Sequence, residues 1–300
     1  MSLRGGDSTS VSLVTISHTA WCPLLEPIIS SSATPTSSSR HELPNEAQIA
    51  EFLGEAGLTS RLAVHYRPIV DLSTGVVASI AARIRFTDPR MIDVPAKQVV
   101  RIAETTGAII PIGAWLIRQS VHDLSDILQA PRTQGSIGLS LKVSTPELAD
   151  EGFGTRVAQA LTSAGVTPDS LILEITHPPA DETNEVAGSL QLLRSLGVTL
   201  AVDESSMGPE AIAQLRALRI GEMRVAPDIC QLAPTDPSSR ATLSAIVGLA
   251  RALGVITVAT GIQSSEQLDT ARALGVDRAQ GALLGSPAPF DELISWLNPR

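Results

Sequence analysis

Three times in the second half of the chain a helical stretch ends in Leu-Gly-Val and runs into a short apolar segment: Leu196-Gly197-Val198, Leu253-Gly254-Val255 and Leu274-Gly275-Val276. Glycine ends a helix because it alone enters the left-handed region without a steric penalty. The apolar run behind each one has the length of a buried strand. A helix followed by a strand, repeated, commits a chain to parallel pairing, because parallel neighbours need a crossover and the helix supplies it. Reading outward from these units, strands are expected at Val64–Leu72, Val76–Phe86, Ile137–Ser144, Leu171–Thr176, Thr199–Glu204, Glu222–Ala226, Val255–Thr260 and Arg278–Gly281. Helices are expected at Glu46–Leu62, Ala96–Thr106, Ile112–Leu128, Gly154–Ala164, Asn184–Leu196, Glu210–Leu218, Ser238–Leu253, Glu266–Leu274 and Phe290–Leu297. The turn Ser73-Thr74-Gly75 is too short for a crossover, so the first two strands should be antiparallel neighbours. Eight strands interleaved with helices imply a (β/α)8 TIM-like barrel with an antiparallel first strand. A doubly wound open sheet is the alternative, weakened by the lack of a Gly-rich phosphate fingerprint after any early strand.

The barrel is expected over residues 45–300, behind a disordered tail at 1–44. Residues 30–40 are almost entirely Ser, Thr, Pro and Ala, a composition that cannot offset its own ordering entropy. The mildly apolar stretch 11–30 is broken by His18, Pro23, Glu26 and Pro27, which reads against a membrane span or a signal peptide. The net charge of −9 argues against a general nucleic-acid surface. Cys22 and Cys230 form neither a disulfide framework nor a metal spacing, which suits a reducing cytoplasm.

In a barrel of this kind chemistry sits at the C-terminal ends of the strands. Arg85, Lys142, Ser144, Glu174, Thr176, Asp203, Glu204, Arg224, Thr260 and Gln280 fall near those ends. Taken singly, each has a plain alternative as a snorkelling cation or a helix cap; together they point to one polar mouth.

The run Tyr66-Arg67-Pro68-Ile69-Val70-Asp71-Leu72-Ser73-Thr74-Gly75 resembles the opening of EAL domains, the bacterial cyclic di-GMP phosphodiesterases. Later segments agree in order: Ala103–Gly107 with Ile112–Trp115, Leu173–Thr176, Leu196 through Asp203, and Gln280-Gly281 with Ser286-Pro287. The likeness extends from about Glu46 to Leu297. It implies that Arg85, Gln280 and Pro287 stand where the family contacts the nucleotide. It also implies that Glu174 and Asp203 survive from the family's metal ligands, with Glu204 in place of the second aspartate of a pair.

The departures from the family pattern are extensive. Ala81 replaces the metal-binding glutamate of the Glu-Ala-Leu run, where this chain reads Ala81-Ala82-Arg83. Lys142 replaces an asparagine ligand, Arg224 the lysine beside the nucleophilic water, Ala226 an aspartate, and Thr260 and Gln263 two glutamates. Ser205–Glu210 replaces the Gly-rich loop that supports metal binding and dimerisation in the family. Metal-assisted hydrolysis needs oxygen ligands and an activated water. Ala81 and Ala226 offer no ligand, the Lys142 ammonium repels a cation, and a guanidinium is a poor base. No catalytic residues and no cofactor are therefore expected, and Lys142 and Arg224 are expected to neutralise Glu174, Asp203 and Glu204 in place of metal. The resemblance then implies a regulatory domain that binds a protein partner or cyclic di-GMP without hydrolysis. The alternative is a weak phosphodiesterase dependent on Mg²⁺ or Mn²⁺.

Overall fold

A computed structural model describes residues 43–130, 137–176, 184–203 and 218–297. The elements are α1 (Glu46–Gly54), β1 (Leu62–Asp71), β2 (Val77–Phe86), α2 (Ala96–Thr106), α3 (Ile109–Gln129), β3 (Gly138–Ser144), α4 (Thr145–Ala149), α5 (Phe153–Ala164), β4 (Leu171–Thr176), α6 (Asn184–Leu196), β5 (Thr199–Asp203), β6 (Glu222–Val225), α7 (Pro227–Leu232), α8 (Pro237–Leu253), β7 (Ile256–Ala259), α9 (Ser265–Leu274), β8 (Arg278–Ala279), β9 (Ala288–Pro289) and α10 (Phe290–Leu297). Strands β2 to β8 follow one another in parallel, and β1 closes the barrel by pairing antiparallel with both β2 and β8. The short strand β9 joins β1 alongside β8, pairing Ala288 with Tyr66.

The β1–β2 turn is built on Asp71. Its Oδ1 accepts from the backbone N–H of Ser73 at 3.0 Å and of Thr74 at 2.9 Å, an Asx turn that holds the short link. Gly75 completes it at φ 72°. The Leu-Gly-Val signature behaves as its chemistry requires. Gly197, Gly254 and Gly275 have positive φ, and the following valine N–H reaches back to the carbonyl of Leu193, Ala250 and Ala271 at 3.1, 2.9 and 3.0 Å. That is a Schellman closure. Ala164-Gly165-Val166 is a fourth copy, with Val166 bonded to Leu161 at 3.0 Å. The main core lies between the outer helices and the barrel, where Leu124, Leu139, Leu141, Leu148, Val157, Leu173, Ile175 and Leu190 pack together.

Two expectations need correction and several lie beyond view. The first helix does not run to Leu62: it stops at Gly54, Glu55 is extended, and a separate 3₁₀ turn covers Leu58–Arg61. Gly57, at φ 76°, separates the two, and the apolar periodicity on either side hid the break. Helices α4 and α7 were not anticipated. Each is short, and each starts where a strand ends, with proline in its first turn. The expected tail lies outside the described residues up to position 42, as do Glu204, the 205–210 loop and nearly all of the expected helix 210–218. No single helix among the described residues is long and apolar enough to cross a membrane.

Candidate functional site

A cavity of about 980 Å³ opens at the barrel mouth. Its lining includes Arg67, Ala81, Arg83, Arg85, Lys142, Ser144, Thr176, Gln280 and Pro287. Strand geometry explains the membership. Arg67 of β1 is in register with Ala81 of β2, and His65 with Arg83. Residues two apart share a face of a strand, so Arg67, Arg83 and Arg85 face the same side. Lys142 of β3 is in register with Glu174 of β4, and parallel pairing brings the two side chains together.

Glu174 is the electrostatic centre of the mouth. Its side chain is only 3 % exposed, and Lys142 Nζ lies 2.8 Å from its Oε1. Arg224 Nε and Arg83 Nη2 stand 3.7 and 3.8 Å from its Oε2. Burial pushes the carboxyl pKa up, but Arg83, Lys142 and Arg224 together outweigh burial and hold it below the ordinary value. Glu174 is therefore an ionised group at neutral pH, enclosed by cations.

Beneath it the charge chain continues to the barrel floor. Arg224 is buried, donates to Ser140 Oγ at 2.8 Å, and lies 2.7 Å from Glu222 Oε1. Glu222 Oε2 in turn accepts from Arg278 at 2.8 Å. The barrel interior thus holds a continuous Lys142–Glu174–Arg224–Glu222–Arg278 chain. A buried charge is tolerated when paired and hydrogen-bonded; Arg224, 2 % exposed, has ion-pair contacts to Glu174 and Glu222, and Nη2 donates to Ser140, while among the described residues Nε and Nη1 make no hydrogen bond.

The sequence-expected residues divide into groups. Ala81, Arg85, Lys142, Gln280 and Pro287 line the cavity. Glu174 and Arg224 are buried behind it. Ala226 caps the start of α7, the Thr260 hydroxyl donates to the Val225 carbonyl at 2.7 Å, and Gln263 is exposed. Asp203 ends β5 with its backbone in register with Arg224; Glu204 lies outside the described residues. Sequence reasoning missed Arg83 as a partner of Glu174, and missed the pair Glu222 and Arg278 entirely. The Arg83-x-Arg85 alternation placed two cations on one face of a strand and could have signalled the first. Nothing local pairs Glu222 with a residue 56 positions away.

Among the described residues the donor set at the mouth does not fit a divalent cation. Hard ions take several oxygen ligands. The position expected for one carboxylate ligand is Ala81, and Glu174, one of the two carboxylates expected to remain, already bonds an ammonium. Among the described residues no three His, Cys, Asp or Glu side chains converge.

Comparison with known proteins agrees with the fold. The EAL domain family matches residues 51–287. The uncharacterized protein y4lL of Sinorhizobium fredii is 29% identical over 240 residues, 80% of this chain and 28% of that protein. The bifunctional diguanylate cyclase/cyclic di-GMP phosphodiesterase MucR of Pseudomonas aeruginosa is 27% identical over 260 residues, 86% of this chain and 38% of that protein. The chain thus spans about a third of the length of the curated relatives it matches. Among solved structures, that of the PaMucR phosphodiesterase in complex with c-di-GMP superimposes with a TM-score of 0.74 at 27% identity, covering 82% of this chain and 99% of that one.

Proposed function

The chain belongs to the EAL domain family, and from that premise we propose that it is a regulatory domain that binds cyclic di-GMP at the barrel mouth without metal and without hydrolysing it. The observation that carries this reading is the 2.8 Å pairing of Lys142 with Glu174. A divalent ion at Glu174 would have to displace an ammonium and sit beside two guanidiniums; like charges about 4 Å apart in a partly screened site repel by on the order of 4 kcal/mol. Arg224, in the position of the family's catalytic lysine, is fixed between Glu174 and Glu222. A guanidinium is a poor stand-in for a lysine amine where a proton has to be shared.

The same cavity suits a guanine dinucleotide. Arg85 and Arg67 offer forked donors to phosphate oxygens. The buried Gln280 Oε1 has no hydrogen-bond partner, and it is an acceptor for the exocyclic amine of a guanine. Cavities of several hundred Å³ with a few convergent polar groups are the usual form of small-molecule sites. A protein partner would read the occupied and empty states of this mouth, in the cytoplasmic setting that the chain's two cysteines suit.

Calorimetric titration with cyclic di-GMP, in EDTA and in excess Mg²⁺, tests the reading. Equal affinity in both buffers, with no linear product by chromatography, is the expected result. Magnesium- or manganese-dependent turnover would replace it with the phosphodiesterase alternative. Absence of heat in both buffers would leave a domain that acts on a protein partner alone.

A further inference from the structure

The β1–β2 wall carries more positive charge than the reading above requires. Arg67, Arg83 and Arg85 all line the cavity and share one face of the antiparallel pair. Among the described residues only Arg83 has a carboxylate within 4 Å, Glu174 at 3.8 Å, and that carboxylate already has Lys142 at 2.8 Å. Among the described residues Arg67 and Arg85 make no ion pair, and the Arg67 Nε is buried with no hydrogen-bond partner. The three guanidiniums act on one another: burial lowers the Arg67 pKa first and Arg85 lowers it further, while Arg83 is lowered by burial and, against Glu174, by Arg224, Arg67 and Arg85. In a chain of net charge −9, a cavity wall that concentrates like charge without partners is arranged for an anion.

We propose that Arg67, Arg83 and Arg85 form a subsite for a terminal phosphate, so that the cavity selects a linear guanine dinucleotide bearing a 5′-phosphate over the cyclic form. The proposal rests on the dinucleotide reading above and deepens it. A bridging phosphodiester carries one negative charge and presents two free oxygens. A terminal phosphate carries nearly two charges and three acceptor oxygens. Guanidinium forks match such an anion bidentately, and the small side chain of Ala81, in register with Arg67, leaves room below them. Gln280 and Pro287 line the same cavity and would hold a base of either form, so the discrimination lies on the arginine wall.

The test is calorimetry in EDTA with four probes: cyclic di-GMP, the 5′-phosphorylated linear diguanylate, the unphosphorylated linear dinucleotide, and inorganic pyrophosphate. The phosphorylated linear form should bind about tenfold more tightly than the cyclic one, the worth of one added charge-assisted hydrogen bond, and more tightly still than the unphosphorylated form. Arg67→Gln should erase the preference, and Arg85→Lys, which keeps the charge but loses the fork, should reduce it; circular dichroism establishes that both variants fold. Cyclic di-GMP binding equally or more tightly, or a preference that survives Arg67→Gln, overturns the subsite and leaves the receptor reading standing. Pyrophosphate binding that depends on Arg67, with no dinucleotide binding, supports the subsite and overturns the receptor reading. No binding of any probe overturns both.

Discussion

On the β3–β6 side of the barrel, buried charges meet opposite charges at short range. Lys142 meets Glu174, and Arg224 stands between Glu174 and Glu222. Glu222 also holds Arg278 of β8. On the β1–β2 side three arginines face the same cavity, and among the described residues the one carboxylate within 4 Å of them belongs to the other side. On one wall every charge has an opposite charge within 4 Å; on the other, among the described residues, Arg67 and Arg85 have none. The contrast separates stability from recognition. Where ions are paired inside the protein, removing one leaves its partner stranded in a medium of low dielectric. Where they are not, water solvates the charge and an anion can take its place.

The comparison breaks most sharply at the floor. Glu222→Gln leaves Arg224 only the 3.7 Å ion-pair contact to Glu174 and loosens Arg278, and should cost about 3–5 kcal/mol in denaturant unfolding. A loss below 1 kcal/mol would show that the floor pairs contribute little. At the mouth, Glu174→Gln should cost about 3 kcal/mol, because Arg83 and Lys142 would lose their carboxylate and Arg224 one of its two.

The Glu174 carboxyl pKa lies below its ordinary 4.5 in the fold. Its charge therefore contributes stability above the unfolded value, and that contribution is lost as pH falls through the lower folded value. Stability of the native chain should decline more steeply on acidification below pH ~4.5 than that of Glu174→Gln. Equal acid slopes in the two proteins would contradict the pairing.

Smaller effects sharpen the same contrast. Lys142 is 43 % exposed on its side chain, so Lys142→Ala should cost about 1 kcal/mol or less. Arg85→Gln, on the unpaired wall, should leave stability within about 0.5 kcal/mol while weakening anion binding in the titration above. A large stability loss for Arg85→Gln would reveal a partner that the wall is here held to lack.

Much of the fold could be read from the chain because its signals are local. The glycines at 197, 254 and 275 end helices through their own backbone freedom, and strand β4 and helices α2 and α6 fall on the expected residues. Short helices such as α4, which is closed by a Ser144–Glu147 capping box, were overlooked because five residues show no periodicity. The over-long first helix has the opposite cause: periodicity continued across a backbone break at Gly57. For the site, the order of motifs singled out positions expected to depart from the family pattern, among them Ala81, Lys142 and Arg224. It did not say what the new residues touch.

By itself the sequence determined the succession of strands and helices and the antiparallel first hairpin, and it placed alanine, lysine and arginine at 81, 142 and 224. Each of these depends on a residue's own chemistry or on neighbours a few positions away. Only the tertiary structure decided that Lys142 bonds Glu174, that Arg224 runs between two buried glutamates to Ser140, and that three arginines share one wall of a cavity. Those contacts follow from strand register and barrel closure, which bring together residues as far apart as Ser140 and Arg224, 84 positions along the chain. A one-residue slip would turn every one of these side chains to the other face.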